Sequence, residues 1–443
     1  MNVILLAIDT LRADHLSCYG YHRLTSPHLD RIARQGTLFS ECFSPHIPTH
    51  PGFTTLMTGK DVFTHQIVAH GGKRELDPAV RTLAEILREQ GYRTAAADNL
   101  GRWFSRGFEV YEVYRWPLEA TGPWRKAEVV NEKALTLLDQ LAAQSQPFFL
   151  FLHYWDPHTP YLPPPPFDRM FYYGNEKDPE NRSMDPVWAV EQFRDYFAQW
   201  MGGVTDIRFP EAQYDAEIAY CDATLARLFT ALEHYRLLEN TLLVILADHG
   251  EVLADHVCYF DHHGLYDANL HVPLILHCPG RIPEGRRIDG FVRLLDVAPT
   301  ILDFLGLGDL AHREKMEGQS LLPLLGRSPG DRRGVCSEIY LTECTWMRKR
   351  GLRTHEWKII QALEPDFHNL PPIELYHLPS DPGEQVNLAT ERPEVVEWLL
   401  GRLRAWVERR TAETGQPDPL ETQSITLRRI GALRTAVPEN QRL

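Results

Sequence analysis

The chain has 443 residues, of which 43% are hydrophobic and 24% charged, as is ordinary for a globular protein. Its formal net charge is -14, and Lys and Arg form no dense run along the sequence. A surface for nucleic acid or for an acidic membrane is therefore not expected. An anionic ligand would have to be attracted locally, by a metal ion or by a few well-placed cations.

The cysteines are scattered and form no CxxC pair, which favours reduced thiols over a disulfide framework. The apolar run at the N-terminus lacks a basic start and meets Asp9 and Arg12 early, unlike a signal peptide. No stretch of the sequence approaches the roughly 20 apolar residues that cross a bilayer. These patterns predict a cytoplasmic protein without a membrane segment.

The predicted elements alternate between short apolar strands and helices, as in an α/β protein. Val3–Ile8 is a continuous apolar run, typical of a strand that is buried on both faces of a parallel sheet. The pattern then predicts a helix over Thr82–Gln90 and a strand over Arg93–Ala97. Further strands are predicted over Phe148–His153 and Thr241–Ala247.

Two segments interrupt this alternation. The stretch Pro160–Pro210 is irregular and rich in proline, which predicts a lid-like excursion over the sheet edge, and a helix is expected after it over Glu211–Tyr235. We divide the chain into an α/β domain (1–325), a small C-terminal subdomain with a sheet (326–390) and a helical or extended tail (391–443). The tail is a candidate contact for a homo-oligomer.

Four of the predicted strands end in acid, amide or histidine residues. In an open α/β sheet, ligands bind beyond the carboxyl ends of the strands, so these groups are expected to share one crevice. Any one ending alone is more often a simple turn or cap, but four together indicate a site. They are Asp9-Thr10, Asp98-Asn99, Trp155 to His158 and Asp248-His249.

Asp248 and His249 are adjacent residues just after a strand, so both can reach one cation, with Asp9 as a third ligand. Mixed oxygen and nitrogen ligands suit Zn or Mn best, with Mg or Ca as further options. Thr49 opens a predicted helix where backbone amides can receive an anion, although taken alone it is more simply an N-cap. Nearby histidines are candidate ligands or proton donors, namely His158, His256, His262 and His263.

The order of these segments resembles the sulfatase family of the alkaline phosphatase superfamily, over nearly all of residues 1–390. Each motif is weak by itself, but many occur in the same order. They are Ile8 to His15, Thr25 to Asp30, Thr49 to Gly59, Asp156 to Tyr161, Tyr214 to Tyr220, Asp248 to Glu251, His271 to Ile275, Leu295 to Thr300 and Glu374 to Leu388. The resemblance implies a sandwich with a large, mostly parallel central sheet flanked by helices, plus a smaller C-terminal subdomain.

The resemblance also implies site residues. A metal ion would be held by Asp9, Asp248 and His249, in contact with a nucleophile at Thr49. The positions that handle the leaving group and the substrate oxygens match His158 and His263. His262 takes a position where a lysine commonly holds the substrate anion, and a loosely similar segment adds Asn99 and Arg102. One ion is expected, and a second would use some of Asp156, His158, His256, His262 and His263.

Thr49 departs from the family pattern, because sulfatases convert a cysteine or serine at this position to formylglycine and threonine cannot be converted. Phe53 also replaces the arginine of the signature, and Thr10 replaces a second acidic residue. A hydrated formylglycine expels sulfate by collapsing to its aldehyde, whereas an ester of threonine must be attacked by water, as phosphoryl enzymes allow.

We therefore predict a metal-dependent hydrolase of a small anionic ester, either a phosphodiester or a phosphonate monoester, which forms a covalent phosphothreonine at Thr49. A sulfatase that works without formylglycine is the nearest alternative. A transferase acting on a lipid or glycan is another, although its relatives usually carry transmembrane helices. The missing arginine at Phe53 is the best argument for a third alternative, an inactive anion-binding protein.

Overall fold

Two β-sheets organise the chain, which a computed structural model describes over residues 1–70, 72–114, 126–328 and 330–423. Residues 424–443 of the predicted tail lie outside the described residues. The strands are β1 (Asn2–Ile8), β2 (Thr37–Phe43), β3 (His46–Ile47), β4 (Arg93–Ala97), β5 (Val110–Glu112), β6 (Phe148–Tyr154), β7 (Thr241–Leu246), β8 (His271–His277), β9 (Arg286–Ile288), β10 (Val292–Arg293), β11 (Glu338–Cys344), β12 (Arg348–Thr354), β13 (Trp357–Ala362) and β14 (Ile373–His377).

The larger sheet has the strand order β10-β2-β8-β7-β1-β6-β4-β5, with β9 paired to β2. From β7 to β5 the neighbouring strands run parallel, and β8 is antiparallel to both β7 and β2. Every residue of β1, β6 and β7 is buried, as expected for central parallel strands covered by helices on both faces. The predicted α/β fold with a large, mostly parallel sheet is confirmed.

The helices pack on both sheets: α1 and α5 contact strands of the larger one, and α13 contacts β12 and β13 of the smaller one. α5 contacts β4, β6 and α8, whereas α2 contacts α4 and α10. None of the described helices is both long and apolar enough to cross a membrane. The α-helices are α1 (Pro27–Arg34), α2 (Thr49–Thr58), α3 (Val62–His65), α4 (Leu83–Glu89), α5 (Lys126–Ala142), α6 (Asp185–Ala189), α7 (Glu191–Met201), α8 (Arg208–His234), α9 (Asp267–Leu270), α10 (Val297–Phe304), α11 (Gly308–Arg313), α12 (Leu322–Leu325), α13 (Pro393–Thr414) and α14 (Pro419–Thr422).

The stretch between β6 and α8, predicted as a lid, contains α6 and α7. Phe193 of α7 packs its ring against Trp346 and Phe367, at centroid separations of 5.5 and 5.8 Å. Both partners follow strands of the smaller sheet. The excursion between β6 and α8 therefore packs against the C-terminal part of the chain.

The smaller sheet has the order β14-β13-β12-β11-β3 and is antiparallel except at its β3 edge. β3 comes from the N-terminal half of the chain and pairs in parallel with β11, with His46 opposite Thr342. Nδ1 of His46 lies 2.9 Å from Oγ1 of Thr342. Since α2 begins two residues after β3, the smaller sheet helps to fix the start of that helix.

Candidate active site

Three fully buried side chains at the carboxyl ends of β1 and β7 form a candidate cation site. Asp9, Asp248 and His249 each offer one ligand atom, and these atoms lie within 4.8 Å of one another. Oδ1 of Asp9 and Oδ2 of Asp248 are buried without a hydrogen-bond partner among the described residues. Unpaired buried carboxylate oxygens are costly, so the donor set fits a divalent cation. The sequence-based ligand set is therefore brought together.

His249 is oriented by its neighbour. Its Nδ1 lies 2.9 Å from the carbonyl oxygen of Gly250, which can only accept, so Nδ1 carries the proton in the neutral ring. Nε2 is then free to act as a ligand, 3.3 Å from Oδ2 of Asp248 and 3.9 Å from Oδ1 of Asp9.

Thr49 is the first residue of α2, and its Oγ1 lies 3.2 Å from Nε2 of His249. The hydroxyl is buried at the positive end of the helix dipole, where an anion is favoured. Gly52 allows this approach, because a Cβ there would lie 3.1 Å from the carbonyl oxygen of Asp248. The predicted nucleophile and the predicted ligands thus meet at one point.

The two carboxylates affect each other. Burial and the negative charge of Asp9 raise the pKa of Asp248 to about 6. Burial also opposes ionisation of Asp9, but the hydrogen bond with His153 still holds the pKa of Asp9 below its ordinary range. Two buried acids that compete for charge in this way would both be stabilised as anions by a cation between them.

His153 was not predicted as a site residue. It lies in β6, opposite Ala7 of β1, with Nε2 3.0 Å from Oδ2 of Asp9 and Nδ1 2.7 Å from Oδ1 of Asp98. Although burial disfavours its charged form, the hydrogen bonds to Asp9 and Asp98 raise the pKa of His153 to about 9. Its position inside an apolar run concealed it, and only its place two residues before the polar ending of β6 hinted at a role.

His158 and His262 form the opposite wall. The His262 ring lies 4.9 Å from that of His249 and 5.6 Å from that of His158, measured between centroids. Burial lowers the pKa of His158 to about 3. Burial also disfavours a charged His262, but Asp261 and Glu251 raise its pKa to about 9. The wall therefore presents one neutral and one positively charged imidazole.

His70 is a further residue that the sequence did not reveal. Its ring is tilted by 32° against that of His50, with 4.2 Å between the centroids, and its Nδ1 is buried without a hydrogen-bond partner within the described part of the chain. Burial lowers the pKa of His70 to about 4, with a smaller effect from His262. His70 is therefore a buried, neutral imidazole next to His50.

The structure does not bring His263 to this wall. Its Nδ1 lies 2.7 Å from Oε1 of Glu343 and its Nε2 2.9 Å from Oδ2 of Asp366. Both acceptors belong to the C-terminal part of the chain, and together they occupy both ring nitrogens. The role in leaving-group chemistry that the resemblance implied for His263 has no support in these contacts.

Arg102 and Asn99 also differ from the sequence-based expectation. The Arg102 guanidinium binds Oε1 of Glu75 and the carbonyl oxygen of Arg74, at 2.6 and 2.7 Å, so it is already engaged away from the cation ligands. Oδ1 of Asn99 accepts a hydrogen bond of 2.8 Å from Nε1 of Trp155, whose ring stacks near His153. Asn99 thus supports the site indirectly.

Of the residues considered for a second metal, His158 and His262 lie near each other, whereas Asp156, His256 and His263 are engaged with other groups. Asp156 accepts a hydrogen bond of 2.6 Å from the backbone amide of Ala127 and lies 3.2 Å from Nζ of Lys126. The His256 ring stacks on Tyr266 at 3.6 Å. With His263 bound to Glu343 and Asp366, these side chains have separate partners.

Comparison with known proteins identifies the family. The family model described as sulfatase matches residues 1–307, which is more than half of the chain. The protein belongs to the sulfatase family. It is thus an ester-hydrolysing enzyme of a family whose members typically bind a divalent metal ion. A second model, for the C-terminal part of N-sulphoglucosamine sulphohydrolase, matches residues 255–408 of this sulfatase-family chain.

Named relatives of this family member are mostly sulfatases. Arylsulfatase K of Gallus gallus is 28% identical over 92% of this chain and 82% of its own length. The N-acetylglucosamine-6-O-sulfatase of Bacteroides thetaiotaomicron is 23% identical over 87% of this chain and 82% of its own length. Among solved structures, the phosphonate monoester hydrolase of Agrobacterium radiobacter is similar in fold, with a TM-score of 0.70 and 23% identity over 91% of this chain and 95% of that one.

Proposed function

We propose that the protein hydrolyses a phosphoric ester, either a phosphodiester or a phosphonate monoester, with Thr49 as the nucleophile. The observation that carries the proposal is the Thr49 hydroxyl, 3.2 Å from Nε2 of His249 at the start of a helix. Asp9 and Asp248, grouped with His249, add two carboxylate oxygens that have no hydrogen-bond partner among the described residues. An inactive anion-binding protein would not need these four groups at one point.

The side chains supply the following steps. Thr49 Oγ1 releases its proton to solvent and attacks phosphorus, while the bond to the leaving oxygen breaks and His262 donates a proton to that oxygen. Water then attacks phosphorus and gives a proton to the now neutral His262. The bond to Thr49 Oγ1 breaks, and this oxygen takes a proton back from solvent. His158 lies beside His262 and takes no charge, because its pKa is lowered to about 3 by burial.

Asp9, Asp248, His249 and the Thr49 hydroxyl would hold a divalent cation, with Zn or Mn favoured by the mixed donors. When bound, it would lower the pKa of the Thr49 hydroxyl and stabilise negative charge on the ester. Besides His262, little fixed positive charge is available to a substrate, because Arg102 is paired with Glu75 and His153 lies between Asp9 and Asp98. This favours a substrate with one negative charge over a dianionic phosphate monoester.

Hydrolysis of a sulfuric ester without formylglycine is the second candidate. The family and most of its named relatives support sulfate more strongly than phosphorus. Thr49 argues the other way, because a threonine sulfate has no carbonyl-forming exit and must be attacked by water. The choice between the two candidates therefore depends on how fast such an ester turns over.

The test removes the Thr49 hydroxyl at nearly constant volume. We expect Thr49→Val to lower kcat/KM for an aryl phosphodiester and a phenylphosphonate ester by roughly 1,000-fold or more, as for loss of an activated nucleophile. Thr58→Val is the matched control, since among the described residues that hydroxyl binds only the carbonyl oxygen of Thr54 at the far end of α2. An aryl sulfate is assayed in parallel with Mn²⁺ and Zn²⁺.

Retained turnover of the phosphodiester by Thr49→Val would remove Thr49 from the mechanism. Faster turnover of the sulfate than of either phosphorus ester would establish the second candidate instead. An intermediate trapped by rapid quench should add the mass of a phosphoryl or phosphonyl group to the peptide that contains Thr49.

A further inference from the structure

A line of hydrogen bonds runs behind the cation ligands, across the ends of three neighbouring strands. Asp9 follows β1, His153 lies in β6 and Asp98 follows β4, and these strands are adjacent in the order β1-β6-β4. Nε2 of His153 lies 3.0 Å from Asp9 Oδ2, and Nδ1 lies 2.7 Å from Asp98 Oδ1. All three side chains are fully buried.

The contact with His153 decides which oxygen of Asp9 is left for a cation. Oδ2 is occupied by His153, whereas Oδ1 has no hydrogen-bond partner within the described residues and faces Nε2 of His249 at 3.9 Å. If the imidazole were absent, the carboxylate could rotate and present either oxygen. A ligand that is already oriented loses less freedom when it binds a metal ion.

The His153 ring is itself held in place. The other oxygen of Asp98 accepts a hydrogen bond from the Tyr111 hydroxyl, and that hydroxyl accepts one of 2.9 Å from the amide of Gly101. The faces and edges of the ring pack against Phe53 at 4.6 Å and Trp155 at 5.0 Å. Both ring nitrogens of His153 therefore lie within hydrogen-bond distance of a carboxylate oxygen, and these two contacts fix the orientation of the ring.

Phe53 packs on this ring. The sulfatase signature has an arginine at this position of α2, whereas here an uncharged ring lies against His153. The side chain that holds Asp9 thus comes from β6 and not from the helix that carries Thr49.

We propose that His153 is a positioning residue, which fixes Asp9 with Oδ1 turned toward the cation, and that Asp98 and Tyr111 act on the cation site only through His153. The inference rests on the cation site of the proposed function, but not on the reaction or its substrate. It assigns a role to three residues outside the ligand set.

The experiment measures the affinity for Mn²⁺ by titration calorimetry, without substrate and at one pH. His153→Phe removes both hydrogen bonds and keeps a ring, and we expect it to weaken Mn²⁺ binding about 10- to 100-fold, as is typical for residues that support a metal ligand. His153→Gln keeps one donor and should recover part of the loss. His277→Phe is the matched control, because His277 is equally buried at the end of β8, outside this line of hydrogen bonds.

A double-mutant cycle separates positioning from general stability. Asp98→Asn should weaken Mn²⁺ binding in the native background but have no further effect in His153→Phe, because its influence passes through the imidazole. Tyr111→Phe should also weaken Mn²⁺ binding, but by less than Asp98→Asn does. Thermal unfolding of each variant identifies any that fail to fold, and Tyr111→Phe, which removes a single oxygen, keeps the cycle measurable.

Unchanged Mn²⁺ affinity in His153→Phe would overturn the positioning role and leave the proposed reaction standing. Additive effects of Asp98→Asn and His153→Phe would also overturn it. If the native protein bound no Mn²⁺ or Zn²⁺, the cation site itself would fail, and both proposals with it.

Discussion

Phe53 shows how one side chain adapts the site to the absence of the arginine of the sulfatase signature. It is completely buried in α2, and its ring contacts His153, Phe104 and Phe151. An apolar ring in this position lets the charged imidazole approach Asp9 without a competing cation. An arginine would be unfavourable in the same surroundings, because the carboxylates that could pair with it, Asp9 and Asp98, are already bound to His153.

Restoring the arginine of the signature therefore should not restore a sulfatase. We expect Phe53→Arg to lower the free energy of unfolding by roughly 4 kcal/mol, since it buries an unpaired charge next to a positive ring. Phe53→Leu is the control and should cost about 1 kcal/mol through lost packing. Urea unfolding measures both, and a Phe53→Arg protein as stable as Phe53→Leu would show that the charge finds a partner.

In the segment between β7 and α9, the adjacent residues His262 and His263 make different contacts. His262 lies 3.5 Å from both Glu251 and Asp261, on the side of the cation ligands. His263 points the other way, to Glu343 of β11 and to Asp366, which also binds Nζ of Lys349 at 2.7 Å. The segment thus joins the larger sheet to the smaller one by buried ion pairs.

The ion pairs of His263 should make stability depend on pH. Burial disfavours a charged His263, but Glu343 and Asp366 raise its pKa to about 9, above the ordinary value near 6.5. The contribution is therefore complete below pH 6.5 and is lost as pH rises through 9. We expect His263→Gln to cost about 3 kcal/mol at pH 6 and less at pH 9.5, as measured by urea unfolding.

His22→Gln, an exposed substitution, should give the same small difference at both pH values. A cost for His263→Gln that did not shrink between pH 6 and 9.5 would contradict the ion-pair account, because loss of packing alone does not depend on pH.

At the scale of the whole molecule, the sequence was most informative about the edge of the sheet. The polar endings of β1, β4 and β7 converge because the carboxyl ends of neighbouring parallel strands share one edge, so Asp9, Asp98 and Asp248 could be placed without coordinates. The α/β fold followed from the alternation of apolar strands and helices.

Other residues could not be placed in this way, for physical reasons. His153 lies within a strand that is buried on both faces, where no polar alternation marks its direction. The direction of His263 depends on its contacts with Glu343 and Asp366, which lie far along the chain, whereas His262 contacts Glu251 and Asp261 nearby. Arg102 adopts a positive φ of 50°, and its side chain binds Glu75 and the carbonyl oxygen of Arg74, neither of which the sequence revealed.

The position of β3 has a consequence for how the enzyme loses activity. Thr49 follows a strand of the smaller sheet, whereas Asp9, Asp248 and His249 follow strands of the larger one. The Thr49 hydroxyl and the cation ligands therefore depend on different sheets. A small shift of one sheet relative to the other would separate them while both sheets stayed folded. On warming, the enzyme should accordingly lose activity at a lower temperature than its far-ultraviolet circular dichroism signal. Mn²⁺ should still be bound at temperatures at which catalysis is already lost.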